Sequence, residues 1–220
     1  MHKLENTNNK IFVIGLPRTG TTSISVALLN LGFTVAHTAF TKETFSLADA
    51  ISDAPCFSDF EQLDHLFPGA KFIYLQRDLA TWLPSIRRLL IKMQQNLQPK
   101  VGTFSPVLKR AMEEIFHLDS DDLLSDEHLT ACYLTHLSHV KNYFKYRKDL
   151  LMIDISNSTS YQEMVRFLAL QDDGNQTFPH LNTGEQVAGW KAYKHINKIS
   201  SHSAGKDHRQ FFDYKKEVTH

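Results

Sequence analysis

The chain has 220 residues, 42% of them hydrophobic and 22% charged, and its 24 basic and 24 acidic side chains give a formal net charge of zero. That length suits one domain with a sizeable core, and the neutral balance argues against a nucleic-acid backbone as partner. The two cysteines, Cys56 and Cys132, are too few for a disulfide framework and lack metal-site spacing, so they read as reduced, buried thiols.

Residues 1–10 are polar, and residues 1–9 are expected to form a flexible N-terminus. The apolar run at 11–14 (IFVI) is too short for a signal-peptide core. No stretch nears the ~20 apolar residues that span a bilayer, which predicts a cytoplasmic protein. The β-branched content of 11–14 makes it a buried strand, and 15–20 (GLPRTG) is a turn-rich loop. Ile24, Ala27, Leu28 and Leu31 recur at helical spacing, and Gly32 is placed to end that helix. Residues 33–36 read as a second strand, completing a βαβ opening. Residues 44–51 read as a short helix and 53–57 as a third strand or a loop. A helix over 61–67 stops at Pro68-Gly69, and 71–76 (KFIYLQ) is a strong strand. The long helix after it carries Trp82, Ile86, Leu89, Leu90 and Met93 on one face. Pro84 requires that it lie in the first turn, with Thr81 as the cap. Residues 99–126 are irregular apart from a helical piece near 108–116 and an acidic run at 119–122. Helix resumes over 127–146, 150–155 (LLMIDI) is another strand, and Ser160 caps a helix with Tyr161, Met164, Val165 and Leu168 inside. Beyond 171 the pattern weakens, and about 200–220 is expected to be a mobile tail. The alternation predicts a single α/β domain, a three-layer sandwich with a mostly parallel central sheet. Ligands of such sheets bind at the carboxyl ends of the strands.

Residues 15–22 (GLPRTGTT) resemble the phosphate-loop pattern GxxxxGK[ST], with Thr21 where the lysine should stand. Gly15 and Gly20 let backbone N–H groups turn toward an anion, and the next helix adds the partial positive charge of its N-terminus. Thr21, Thr22 and Ser23 add hydroxyls, and Arg18 adds a fixed charge. The absent lysine counts against triphosphate chemistry, where it bridges the β- and γ-phosphates. A second anion site follows. Strand 71–76 runs into Arg77-Asp78, and Ser85 falls in the first turns of the next helix, so Arg77 and Ser85 together suit a second phosphate. The plainer alternative is an Arg77–Asp78 pair beside an incidental serine.

These two segments together resemble the phosphate motifs of sulfotransferases that use 3′-phosphoadenosine 5′-phosphosulfate (PAPS). PRTGTT after the first strand is similar to their 5′-phosphosulfate loop, and the strand–Arg77–Asp78…Trp82…Ser85 run is similar to their 3′-phosphate motif. FPGAKFIYLQRD, and FPHLN at 178–182, resemble short sulfotransferase-like proteins of the P-loop superfamily. The resemblance implies a PAPS-dependent sulfotransferase with no metal. Pro17, Arg18, Thr19, Gly20, Thr21, Thr22 and Ser23 would hold the 5′-phosphosulfate, Arg77 and Ser85 would hold the 3′-phosphate, and Arg18 would stabilise the leaving phosphate. Family members take their base from different strand ends. His37, after the second strand, has an ordinary pKa of about 6.5 that suits the task. Asp53 and Asp59 precede the 3′-phosphate strand, where some members place the base; otherwise Asp53 is a turn former and Asp59 a helix cap. Lys191, Lys194, Lys198, Lys206 and Arg209 resemble a basic loop that folds over the nucleotide, against the alternative of a solvated tail. The acceptor is expected to be a small molecule, a sugar or a peptide side chain, bound by parts of 38–60 and 98–126, with no nucleic-acid or membrane partner. Two other readings are open. One is a small-molecule P-loop kinase, with Asp154 as a magnesium ligand. The other is a non-catalytic module that binds adenosine 3′,5′-bisphosphate.

Overall fold

The structure is a computed structural model in which residues 10–171, 176–179 and 189–204 are described. Five strands form one sheet in the order β2-β3-β1-β4-β5, and every pairing is parallel. They are β1 (Ile11–Val13), β2 (Val35–His37), β3 (Ala50–Ser52), β4 (Lys71–Gln76) and β5 (Leu150–Asp154). The helices are α1 (Thr21–Asn30), α2 (Lys42–Leu47), α3 (Phe60–Leu66), α4 (Leu79–Leu97), α5 (Pro106–Phe116), α6 (Asp126–Tyr143) and α7 (Ser160–Phe167).

Alternation along each strand sorts side chains between two helical layers, since successive residues point to opposite faces. Ile11, Val13, Ile73, Leu75 and Ile153 pack against Ile24, Leu28, Met164 and Val165 of α1 and α7. Phe12, Phe72, Tyr74, Ala36 and Ile51 pack against Phe45, Phe60, Leu63, Val140 and Phe144 of α2, α3 and α6. Each such aliphatic or aromatic side chain contributes roughly 1.5–3 kcal/mol by leaving water. A third apolar cluster sits over the carboxyl edge of the sheet, where Leu16, Ala54 and Phe57 meet Trp82, Ile86, Met112, Phe116, Leu129 and Tyr133. Arg110 of α5 reaches down to Asp59 at the start of α3, with bonds of 2.8 and 2.5 Å, and fixes this cap to the sheet.

Several expectations are corrected. The helix expected over 44–51 stops at Leu47, and Ala50–Ser52 is a strand. Ile51 is fully buried beside Phe12 and Ala36, so sheet burial overrides the local helical pattern. Of the two readings of 53–57, a strand or a loop, the structure has the loop, as a turn. Asp78, not Thr81, caps α4: its carboxylate accepts from the Thr81 N–H at 3.1 Å. Pro84 consequently falls in the second turn. It and Ala80 both face solvent, so water can satisfy the Ala80 carbonyl that proline leaves unpaired. Ser160 does not cap α7; its hydroxyl donates to the Asp154 carbonyl at 2.7 Å.

The chain returns to the free edge of β2 near its end. The Val35 N–H donates to the Asn197 carbonyl at 3.0 Å and the Ile199 N–H to the Val35 carbonyl at 2.9 Å, a parallel bridge that lengthens the sheet. Residues 200–203 then run along the segment after β2, with Thr44 Oγ1 donating to the Ser200 carbonyl and the Phe40 N–H to the Ser201 carbonyl. The mobile tail expected from about 200 is corrected at its start, because 200–203 are bonded to the segment after β2, while 1–9 and the chain beyond 204 lie outside the described residues. Among the described residues, no helix is long and apolar enough to cross a membrane.

Candidate active site

The loop after β1 is held from behind by its carbonyls. Thr19 Oγ1 donates to the Leu16 carbonyl at 2.7 Å, Trp82 Nε1 to that of Pro17 at 2.9 Å, and Arg77 Nη1 to that of Arg18 at 2.7 Å. These bonds occupy the carbonyls of the loop, and the Thr19 N–H itself donates to the Leu16 carbonyl at 3.3 Å. α1 starts at Gly20 with no side-chain cap, so its first N–H groups are free for an anion. The two glycines have different reasons for being glycine. A Cβ on Gly15 would lie 2.7 Å from Leu75 Cβ, and Gly20 has φ +112°, a left-handed conformation that L side chains resist. Arg18 also has positive φ, at 72°.

Positive charge converges on this loop. Arg18 Nε donates to Ser85 Oγ at 2.9 Å, and Arg77 Nε to Thr81 Oγ1 at 3.2 Å. Arg88 stands on the same face of α4 as Thr81 and Ser85, about two turns beyond the first and one beyond the second. Burial depresses the pKa of Arg18 first; the guanidinium groups of Arg77 and Arg88 add to this, and Asp53 opposes it. Like charges gathered around an uncapped helix start form a donor set complementary to a polyanion. Tyr133 fixes the backbone beneath Arg77, its hydroxyl accepting from the Arg77 N–H at 3.0 Å and donating to the Arg77 carbonyl at 3.1 Å.

Beside the cations lies a second constellation. His37 Nε2 is 3.3 Å from Thr21 Oγ1, 3.2 Å from Thr22 Oγ1 and 3.9 Å from Asp53 Oδ2. Thr21 also donates to Asp53 Oδ2 at 3.3 Å. Burial holds His37 below its ordinary pKa; Asp53 and a hydrogen bond to its own backbone oppose the shift, and Lys198 reinforces it. Asp53 stands at φ 61° and accepts from the Ala54 N–H at 2.8 Å, a local bond that suits this conformation. Thr38, next to His37, has φ 86°, a costly state for a β-branched residue. Ser201 braces it: the Thr38 and Ser201 hydroxyls lie 2.6 Å apart, and Ser201 Oγ donates to the His37 carbonyl at 3.4 Å. The Trp190 ring lies 5.5 Å from that of His37, with the Lys198 ammonium 4.4 Å from the indole centroid.

A profile of the sulfotransferase domain matches residues 10–44 and 37–187. The chain belongs to the sulfotransferase domain family. Among solved structures similar to it is a sulfotransferase from Alicyclobacillus acidocaldarius, 13% identical, with 78% of this chain and 84% of that chain covered at a TM-score of 0.46. A search of curated proteins finds no match.

In this chain the parallel sheet brings Arg18, Arg77 and Ser85 together at one end, with His37 and Asp53 beside them. Pro17, Thr19 and Ser23 are buried parts of the loop framework, whereas Thr22 is half-buried. Asp59 is elsewhere: it is fully buried and spent on Arg110 and Ser58. Asp154 closes a turn, its Oδ1 accepting from the Ser156 N–H and hydroxyl. Lys198 turns inward, donating to the Trp190 and Tyr193 carbonyls at 2.6 Å each. The residues 180–182 of FPHLN, together with Lys206 and Arg209, lie outside the described residues. Sequence reasoning missed Arg88, Tyr133 and Trp190. Arg88 was legible from its helical spacing to Ser85; the other two come from distant segments with no local signal.

Proposed function

We propose that this sulfotransferase moves a sulfuryl group from PAPS to a hydroxyl or amine of a small molecule, sugar or peptide acceptor in the cytoplasm. The observation that carries the reading is the convergence of Arg18, Arg77, Ser85 and Arg88 beside the uncapped start of α1. Such a set suits a nucleotide with two separated anionic groups. The donor supplies an activated sulfuryl group on its 5′-phosphate; the chain supplies positioning and charge. The amides and hydroxyls of Gly20, Thr21 and Thr22 would hold the 5′ end, with Arg18 offsetting charge on the leaving phosphate. Arg77 and Ser85 would hold the 3′-phosphate, with Arg88 adding to the field. His37, kept neutral by burial, would accept the acceptor's proton at Nε2, and Asp53 would stabilise the imidazolium that results.

The kinase reading has little to rest on, because Thr21 replaces the lysine and Asp154 is engaged by Ser156. The decisive experiment is calorimetry of adenosine 3′,5′-bisphosphate without metal, run beside ATP with Mg²⁺ and repeated on Arg77→Ala. Loss of a charge-assisted contact of ~1.5–3 kcal/mol should weaken the bisphosphate by roughly 10- to 100-fold. A preference for Mg-ATP, or an unchanged affinity in the variant, would remove the PAPS reading. Bisphosphate binding with no transfer to any acceptor would favour the non-catalytic module.

A further inference from the structure

A half-open cavity of about 740 Å³ lies between the C-terminal half of α4, α5 and the loop 118–125. Its size falls within the ~300–1,000 Å³ usual for small-molecule sites. Leu90, Ile91, Leu97, Leu123 and Leu124 supply apolar walls. The cavity is separate from the anion site. Gln94 lines it, and at about 100° per residue Gln94 stands on the side of α4 opposite Ser85.

The walls are braced by contacts that leave the interior apolar. Lys109 Nζ donates to the carbonyls of Gln98, Pro99 and Gly102 at 2.8, 3.3 and 2.6 Å, tying α5 to the end of α4. Arg87 ties α4 to the loop, donating to the Leu124 carbonyl at 2.8 Å and pairing with Asp126. Arg110 is held by Asp59. These bonds fix the three elements relative to one another around the cavity. They pair Arg110 with carboxylates and turn the Lys109 ammonium toward carbonyls, so Lys109 alone offsets part of the negative charge of the lining. The carboxylates are not matched in the same way. Glu113, Asp119 and Asp121 line the cavity and are exposed, and among the described residues their side chains have no ion-pair partner. Asp122 meets His128 at 3.5 Å.

From the braced apolar cavity and its only partly compensated acidic mouth, we infer a second ligand site for an organic cation with an apolar body, of the hydrophobic-amine class. The inference does not depend on the PAPS reading. Its test uses three probes of one shape and different charge: 4-phenylbutylamine, 4-phenylbutanol and 4-phenylbutanoate. Each is titrated into the full chain and followed by amide chemical shifts. The amine should perturb the second half of α4, α5 and 118–125, and bind about two- to fivefold tighter than the alcohol, the effect of one favourable exposed charge contact. The carboxylate should bind weakest. Asp119→Asn with Asp121→Asn should bring the amine down to the alcohol. Leu123→Trp should fill the cavity and weaken all three. Should that variant fail to fold, Ile91→Lys, at a position 54% exposed, places a cation at the mouth and should weaken the amine selectively. Equal affinity for the three probes, shifts that map elsewhere, or displacement of the amine by adenosine 3′,5′-bisphosphate would overturn the inference.

Discussion

Acidification should loosen the support behind the site through His136. This side chain is 4% exposed. Its Nε2 donates to the Phe57 carbonyl at 2.7 Å, and its Nδ1 faces the Tyr74 hydroxyl at 3.5 Å. Phe57 lies in the turn that leads on from Asp53, so the imidazole ties α6 to the segment carrying a site carboxylate. Burial pushes His136 down to about 4; the Phe57 bond opposes this and His139 adds to it. In the unfolded chain the ring titrates near 6.5. As pH falls below 6.5, the unfolded chain takes up a proton that the folded protein refuses until about pH 4. Stability contributed by the neutral ring is therefore full above 6.5 and lost on acidification across that window. At ~1.4 kcal/mol for each pH unit the loss approaches roughly 3 kcal/mol, a large share of the ~5–15 kcal/mol that holds a domain together. His136→Gln keeps a donor for the Phe57 carbonyl and cannot titrate. Urea unfolding of both proteins between pH 7.5 and 4 isolates the ring, because His37 and the carboxylates are common to the pair. The wild type should lose about 3 kcal/mol more than the variant over this range. A difference that stays constant with pH would refute the reasoning.

Two further predictions concern the loop and the covered histidine. In Gly15→Ala the new methyl meets Leu75 Cβ at 2.7 Å and that residue's main-chain N and O at 2.8 and 2.9 Å, so Leu75→Ala should not rescue it. In Gly20→Ala the methyl meets the tip of Ile155 at 2.3 Å, so Ile155→Ala should restore part of the stability, leaving the ~1–2 kcal/mol left-handed penalty. Urea melts of the four proteins decide it, and rescue of Gly15→Ala by Leu75→Ala would refute the packing argument. Trp190→Ala uncovers His37, whose pKa should rise toward the ordinary 6.5 as burial relaxes. The neutral fraction near pH 6 then falls, moving the acid limb of transfer activity to higher pH; Trp190→Phe should retain most of the wild-type profile. Histidine ring titration by NMR checks the shift directly, and an unmoved His37 would show that the indole is not its cover.

The elements that read cleanly from the sequence were those whose local pattern agrees with their burial. Strand 71–76, the helix after the GLPRTGTT loop and the apolar stripe of α4 are of this kind. β3 was illegible because Ala50 and Ile51 continue a helical pattern from α2; they become a strand only where Phe12 and Ala36 lie on either side. Asp59 looked like either a base or a cap, and only the reach of Arg110 from α5 shows that its charge is already used.

The sequence by itself determined that the chain is an α/β domain, and it marked two segments whose residue types suit anions, Arg18 in one and Arg77 with Ser85 in the other. Backbone conformation and hydroxyl or guanidinium chemistry are local properties, so they can be read locally. The tertiary structure alone decided that Arg18 reaches Ser85, that His37 meets Asp53 and both threonines, and that Trp190 lies over His37. Those meetings depend on parallel strand order, on burial, and on a chain end returning to the edge of β2, and none of these is encoded in any short run of residues.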